Sequence, residues 1–533
     1  MVKGWCRNSA LALVLAWAVW IAPGVQPASA QALPANFISS DVPHDVPAGP
    51  SATVAQLAVF AWQEFIALNW VALNPGQNNP RGRPDTSVGF LDIAPTNGSF
   101  PLVVWQTYRH KNELFPFNGQ TDPNFDSATP SYSYRNQPTA AVGGPVPSFS
   151  LFNNLDETSQ LGLDNMYAHS TAAVQPAAPA QATGIRVAYE AKVNRAVYNY
   201  VVQRGFTNPA NNYQLLDAAL ANTGPVYYIG QPNSVASQFT GICSTTSMLS
   251  IVMLPCGDST VAGDAGEGAI EIKSAWRQLT PAEASSGRFF MRNVIYYTGP
   301  QANQRYNNGV WGLVALHIIH KTRSFPAFVF ATWEQVDNYV DGAANPNSQN
   351  LAYQNTGTPL ANQPLTRVHA IHSQVAATND LVHAAFIAGN PSTVWQYYKL
   401  IGVQATPENE PAAGASADDL AYYYLANIMV ETNQPLQSFT GQIAGGVTAN
   451  TNNVYLNGVA ASPFQMGGCQ GCHGFQAQYL GGDMSRLIAA APQNSWTAES
   501  IDVSAANAIK TYWHRQRGVS VPKRAKEARD RGQ

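Results

Sequence analysis

The sequence feature that most constrains this chain is a five-residue box, Cys469-Gln470-Gly471-Cys472-His473. Two thiols separated by two residues can add across the two vinyl groups of one porphyrin. The histidine that follows the second cysteine then lies beneath the iron as its proximal ligand. The box therefore predicts one covalently attached haem c, held by Cys469 and Cys472 and ligated by His473.

Other kinds of site also use a C-x-x-C pair. A redox-active dithiol has the same spacing, and half of a zinc site does too. Zinc would need two more ligands at finger-like spacing, and no second C-x-x-C and no H-x-x-x-H follows the box. The adjoining histidine therefore favours haem over either alternative.

From Cys469 to Gly474 the chain resembles c-type cytochromes, and a weaker similarity continues over the residues that follow. The resemblance implies a small, mainly α-helical, cytochrome c-like haem region over residues 435–514. It also implies electron transfer through the haem. The preceding residues have only a loose similarity to large exported proteins with a single C-terminal haem box.

The N-terminus has the three-part layout of a secretory signal peptide. Lys3 and Arg7 precede an apolar run from Ala10 to Val25, and Ala28-Ser29-Ala30 supplies small residues for cleavage. We therefore expect residues 1–30 to be removed and the mature chain to be a soluble periplasmic or otherwise exported protein. No later stretch reaches about 18 uninterrupted apolar residues, so no membrane span is expected in the mature chain.

Cys243 and Cys256 remain once the signal peptide and the box are set aside. In an oxidising compartment such a pair is expected to form a disulfide. A loop of this size would gain roughly 3 kcal/mol of stability from the bond.

Residues 31–434 are expected to form a large α+β domain. Strand-like runs separated by Gly, Pro and Asn predict a central antiparallel sheet, and amphipathic stretches predict flanking helices. The predicted strands are Leu102–Trp105, Ile270–Lys273, Phe289–Tyr297, Trp311–Ile319 and Ala327–Trp333. The predicted helices are Val54–Trp70, Tyr189–Val202, Asn379–Ala388, Pro391–Leu400 and Ala417–Glu431.

The group in the sixth coordination position decides what the iron can do. A methionine raises the potential and suits electron transfer, a second histidine lowers it, and an open site permits ligand or peroxide chemistry. Met466 is too close to Cys469 to cross to the other face of a porphyrin. Met484 can reach it if the connection is extended, and it ranks first. There are three alternatives to Met484. They are His514, a histidine from the large domain, and no protein ligand at all.

His317, His320 and Glu334 form a second set of metal-ligating residue types. On a helix the two rings would share one face and could bind a metal together with a carboxylate. The Val- and Ile-rich surroundings favour a strand, in which residues three apart lie on opposite faces. We therefore expect both histidines to be structural.

Charge and motifs narrow the function classes. The net charge of −3 and the lack of a basic stripe with interleaved aromatic residues argue against nucleic-acid binding. Residues 515–533 form a basic tail with seven Lys or Arg. This tail is either a solvated terminus or a docking arm for an acidic redox partner or anionic lipid.

These observations predict an exported monohaem c-type cytochrome that exchanges electrons with a redox protein partner. Two alternatives stay open. One is a haem-dependent oxidoreductase of oxygenase or peroxidase type, with an open distal site and a small-molecule substrate. The other is a ligand-binding or scaffold protein that carries a redox haem.

Overall fold

The structure, a computed structural model, describes part of the chain. The described residues are 31–76, 78–140, 151–158, 187–207, 243, 252–257, 266–338, 340–341, 353–355, 365–367, 369–406, 414–427, 429–431, 455–456, 459–460, 468–473, 483, 485, 487–488 and 496–501. The predicted signal peptide, the basic tail, Met466, Met484, His514 and most of the predicted haem region lie outside these residues.

A ten-stranded sheet lies at the centre of the described part of the chain. Its strands are β1 (Arg109–His110), β2 (Thr139–Ala140), β3 (Asn154–Leu155), β4 (Glu157–Thr158), β5 (Ala188–Val193), β6 (Ala269–Arg277), β7 (Met291–Thr298), β8 (Arg305–Lys321), β9 (Val329–Gln335) and β13 (Tyr398–Gln404). Two small sheets contain β10 (Val340–Asp341), β11 (Tyr353–Asn355) and β12 (Leu365–Arg367), and β14 (Tyr455–Leu456) and β15 (Val459–Ala460).

The main path through the sheet runs β1-β5-β6-β8-β7-β3, and β9 and β13 extend it from β8. The long strand β8 pairs with β7 along its first half and with both β6 and β9 along its second half. These pairings are antiparallel, whereas the short strands β2 and β3 pair in parallel. The predicted antiparallel sheet is therefore confirmed, and the four runs predicted to form it fall on β6 to β9.

Helices flank this sheet, as the α+β prediction requires. They are α1 (Val54–Leu68), α2 (Lys111–Leu114), α3 (Arg195–Gln203), α4 (Pro281–Ser285), α5 (Ser373–Gly389), α6 (Ala417–Tyr423) and α7 (Gly468–His473). Single 3₁₀ turns occupy Gly49–Ser51, Phe90–Asp92, Val104–Thr107, Gln301–Asn303 and Val394–Tyr397. The predicted helices at Val54 and Asn379 are confirmed as α1 and α5, whereas the one at Ala417 ends at Tyr423 rather than Glu431.

Helix α1 packs against one face of the sheet, which we call the helix face. The helix face carries Leu316, Ile318 and His320 of β8 and Trp333 of β9. The ring of Trp333 lies 6.1 Å from that of Trp62 on α1, and His320 Nδ1 is hydrogen-bonded to the Glu64 carboxylate. Because both partners are fully buried, this contact fixes the position of α1 relative to the C-terminal end of β8.

The prediction of one helix over Tyr189–Val202 is wrong. The first part of this stretch is β5, and α3 begins only at Arg195. Asn194 separates the two elements: its fully buried side chain accepts hydrogen bonds from Val197 N and Ile270 N and donates one to Gly268 O. Pairing of β5 with β6 outweighs the helical spacing of the apolar residues.

Two further local predictions are wrong. Pro391–Leu400 is a 3₁₀ turn followed by β13, because pairing with β9 draws Tyr398–Gln404 into the sheet. Leu102–Trp105 is not a strand, because a 3₁₀ turn begins at Val104. The side chain of Gln106 accepts a hydrogen bond from Val103 N at 3.0 Å and so stabilises that turn.

We predict that Asn194→Ala lowers the free energy of unfolding by about 3 kcal/mol, because it leaves buried backbone groups without partners. Urea denaturation followed by circular dichroism measures this. The matched control is Thr53→Ala, which removes an exposed N-cap on α1 and should cost about 1 kcal/mol. A cost for Asn194→Ala no larger than that of the control would contradict the role given to Asn194.

Candidate functional site

The box lies on the short helix α7, which packs against β13. Residues four apart share a face of a helix, so Cys469 and His473 are positioned on adjoining parts of one surface. Cys469 is 5% exposed and belongs to the same buried apolar cluster as Phe330 and Val403. Cys469 is therefore in contact with the core of the sheet domain.

Gln470, between the two cysteines, anchors α7 to the sheet. Its backbone N–H donates to Gln404 Oε1 at 2.7 Å, and its Nε2 donates to the carbonyl oxygens of Ala327 and Phe328, each at 3.2 Å. Gly468 permits the close approach: its φ is +70°, and a Cβ there would lie 2.8 Å from Gln404 Nε2. Sequence reasoning did not assign a role to Gln404, Gly468 or Gln470.

His473 packs on the face of the sheet opposite to α1. Its ring lies 4.7 Å from the ring of Phe330, centroid to centroid. In the register of β8 and β9, Phe330 is opposite Ile319 and Thr332 is opposite His317. We call the face that carries His317, Ile319, Phe330 and Thr332 the box face.

His317 lies on this box face beside the box. Burial, and then the charges of Lys273 and His473, lower the pKa of His317 well below its usual value, so that its imidazole is neutral. Its Nε2 is buried and has no hydrogen-bond partner among the residues that the structure describes. A neutral imidazole nitrogen is the form that ligates a metal.

Two polar contacts on the box face hold the chain that follows the box. Ser485 Oγ donates to Glu271 Oε1 at 2.5 Å, and the buried Lys321 ammonium pairs with the Asp483 carboxylate. Asp483 Oδ2 also accepts from Leu254 N at 2.7 Å. Asp483 and Ser485 are therefore attached to the same face of the sheet as α7.

These attachments bear on Met484 only through its neighbours in sequence. Asp483 and Ser485 are bound to the box face, whereas Met484 itself lies outside the described residues. Its assignment as distal ligand remains a prediction.

The described residues fit a covalently bound haem in three respects. The sulfur-bearing residue Cys469 is buried among apolar groups, an aromatic ring lies against His473, and a second imidazole nitrogen on the same face is buried without a partner. An apolar surround of this kind controls solvent access to an iron centre and so tunes its potential.

The structure also places the second set of metal-ligating residue types and the two remaining cysteines. His317 and His320 are on a strand and on opposite faces, as predicted, and Glu334 is paired with Arg367 at 3.4 Å and Lys399 at 3.3 Å. Cys243 and Cys256 are paired as a disulfide with a Cα–Cα distance of 5.2 Å.

Glu271 is another residue of the box face that sequence reasoning did not single out. The sequence around it alternates Ile270, Glu271, Ile272 and Lys273. This alternation predicted the strand but did not predict the burial of the Glu271 carboxyl group. Burial raises the pKa of Glu271 to about 7, against the opposing hydrogen bond from Ser485.

Comparisons of the chain with protein-family models, with curated proteins and with solved structures gave no match. None of the helices in the described part of the chain combines the length and the apolar character that a membrane span needs.

We predict that Glu271→Gln removes a pH dependence of stability. The folded pKa of about 7 exceeds the usual 4.5, so the contribution of this group is fully present below pH 4.5 and is lost as the pH rises to about 7. The wild type should lose about 3 kcal/mol relative to Glu271→Gln between pH 4.5 and pH 8.

Urea denaturation of both proteins across this pH range measures the difference. Asp41→Asn, which replaces an exposed carboxylate by the same amide chemistry, is the control for the substitution itself. Parallel pH profiles of the wild type and Glu271→Gln would contradict the raised pKa.

Proposed function

We propose that this chain is an exported monohaem c-type cytochrome that transfers electrons through a haem bound to Cys469 and Cys472. His473 is the proximal ligand. The observation that carries the proposal is the placement of the box on a helix that is anchored by Gln470 and packed against the core of a large sheet. A buried seat of this kind suits a large planar apolar cofactor.

The bound haem supplies reversible one-electron chemistry. The residues of the chain provide its surroundings: Gln470 fixes the box, Phe330 supports the ring of His473, and the core around Cys469 excludes water. A rigid, poorly hydrated site of this kind holds the ligand geometry and the potential constant.

Export is part of the proposal. The signal-like N-terminus and the disulfide-paired Cys243 and Cys256 are both typical of an oxidising compartment, where c-type haem is attached. In this account the C-terminal residues 435–514 include a cytochrome c-like haem region, and the basic tail docks an acidic redox partner.

Covalent haem attachment is tested by expressing the full chain with a c-type haem maturation system. We expect one covalent haem per chain in the wild type, measured by the pyridine haemochrome spectrum and by mass, and none in the double variant Cys469→Ala/Cys472→Ala. Cys243→Ser/Cys256→Ser is the control and should keep its haem, since it alters cysteines outside the box. A wild-type chain without covalent haem would refute the proposal.

Electron transfer is distinguished from enzyme chemistry by the sixth coordination position. We expect a low-spin ferric spectrum and a ferrous form that does not bind CO, because a protein ligand fills the site in a carrier. A high-spin ferric spectrum with rapid CO binding would instead favour a haem oxidoreductase with an open distal site.

A further inference from the structure

We infer that His317, in the central strand β8, is the distal ligand of the haem iron. The inference rests on the proposed function, because it needs a haem on Cys469 and Cys472. It names the residue that fills the sixth coordination position and therefore sets the potential of the centre.

The position of His317 is the first support. It lies on the box face, two residues from Ile319, whose cross-strand partner Phe330 contacts the ring of His473. Diagonal neighbours on one face of a sheet are about 7–8 Å apart, so Phe330 links the two histidines at short range. More than 150 residues separate them in sequence, and the sheet brings them together.

The second support is the polar atom that His317 leaves without a partner. Its Nε2 is buried and, within the described part of the chain, forms no hydrogen bond. Burying such a group unpaired is destabilising. Coordination to iron would satisfy this nitrogen.

The third support is the rigidity of the strand. His317 is paired with Lys273 of β6 on one side and with Thr332 of β9 on the other. A ligand on a strand paired on both sides keeps its orientation when the iron changes oxidation state.

Two other histidines of the sheet domain, His320 and His383, are engaged on the helix face. Both ring nitrogens of His320 are hydrogen-bonded, to Glu64 and to Glu267 O, on the helix face. His383 Nε2 is bonded to Tyr398 O at 2.7 Å, and its ring packs against Trp62 of α1. His317 thus differs from both in its face and in its unsatisfied nitrogen.

The experiment compares full-length holoprotein of the wild type, His317→Ala and the matched control His383→Ala. Covalent haem is first quantified by the pyridine haemochrome, so that each spectrum is normalised to haem. We expect His317→Ala to lose the low-spin ferric spectrum, to bind CO in the ferrous state, and to regain the low-spin spectrum when imidazole is added. His383→Ala should match the wild type.

A second variant keeps the test decisive if His317→Ala fails to fold. His317→Met offers a substitute ligand, and we expect it to stay low-spin with a higher midpoint potential, because methionine raises the potential relative to histidine. An unchanged potential in His317→Met, or an unchanged spectrum in His317→Ala, would overturn the inference. Loss of the low-spin spectrum in Met484→Ala with none in His317→Ala would assign the position to Met484 instead.

The two proposals fail in different ways. Absence of covalent haem from the wild type refutes the proposed function. A wild type that carries haem and a His317→Ala variant with the same spectrum refute only the role of His317.

Discussion

The alternation of side chains along β8 determines which helix packs on each face of the central sheet. Because successive residues of a strand lie on opposite faces, His320 is directed to α1 and His317 to the box. The His320–Glu64 contact is fully buried and fixes α1 over the helix face. The same strand is thereby held in register for its other face, where α7 packs through Phe330. A shift of one residue in β8 would exchange the two histidines and disrupt both faces.

The box is joined to this sheet by specific polar contacts as well as by apolar packing. Gln470 bonds to Gln404 and to two carbonyl oxygens after β8, and Lys321 and Glu271 hold the residues that follow the box. Each buried hydrogen bond contributes about 1 kcal/mol, so these contacts together hold the box more firmly than any single one. In our account, the large sheet domain is therefore part of the haem site and supplies its surroundings and one of its ligands.

Local sequence patterns predicted the helices and strands whose apolar residues recur at one clear spacing. Helix α1 and strands β6 to β9 have clear spacing of their apolar residues and were found. The stretch around Asn194 was mispredicted because β5 is buried on both faces and so resembles a helix in its apolar content. Pro391 gave a helix-start signal, but pairing of β13 with β9 prevailed.

The box itself was recognisable because its chemistry lies within five residues, and the strand placement of His317 and His320 was also predicted. The proximity of His317 to His473 was not predicted, because it depends on strand pairing and on the packing of α7 against the sheet. The burial of Glu271 is a tertiary property for the same reason.

The most direct test compares the methyl resonances of Ile319 and Ile318 in the oxidised and reduced holoprotein. We predict that the ferric haem shifts and broadens Ile319, on the box face, far more than Ile318, on the helix face; two equally unaffected methyl groups would contradict a haem seated on the box face of β8.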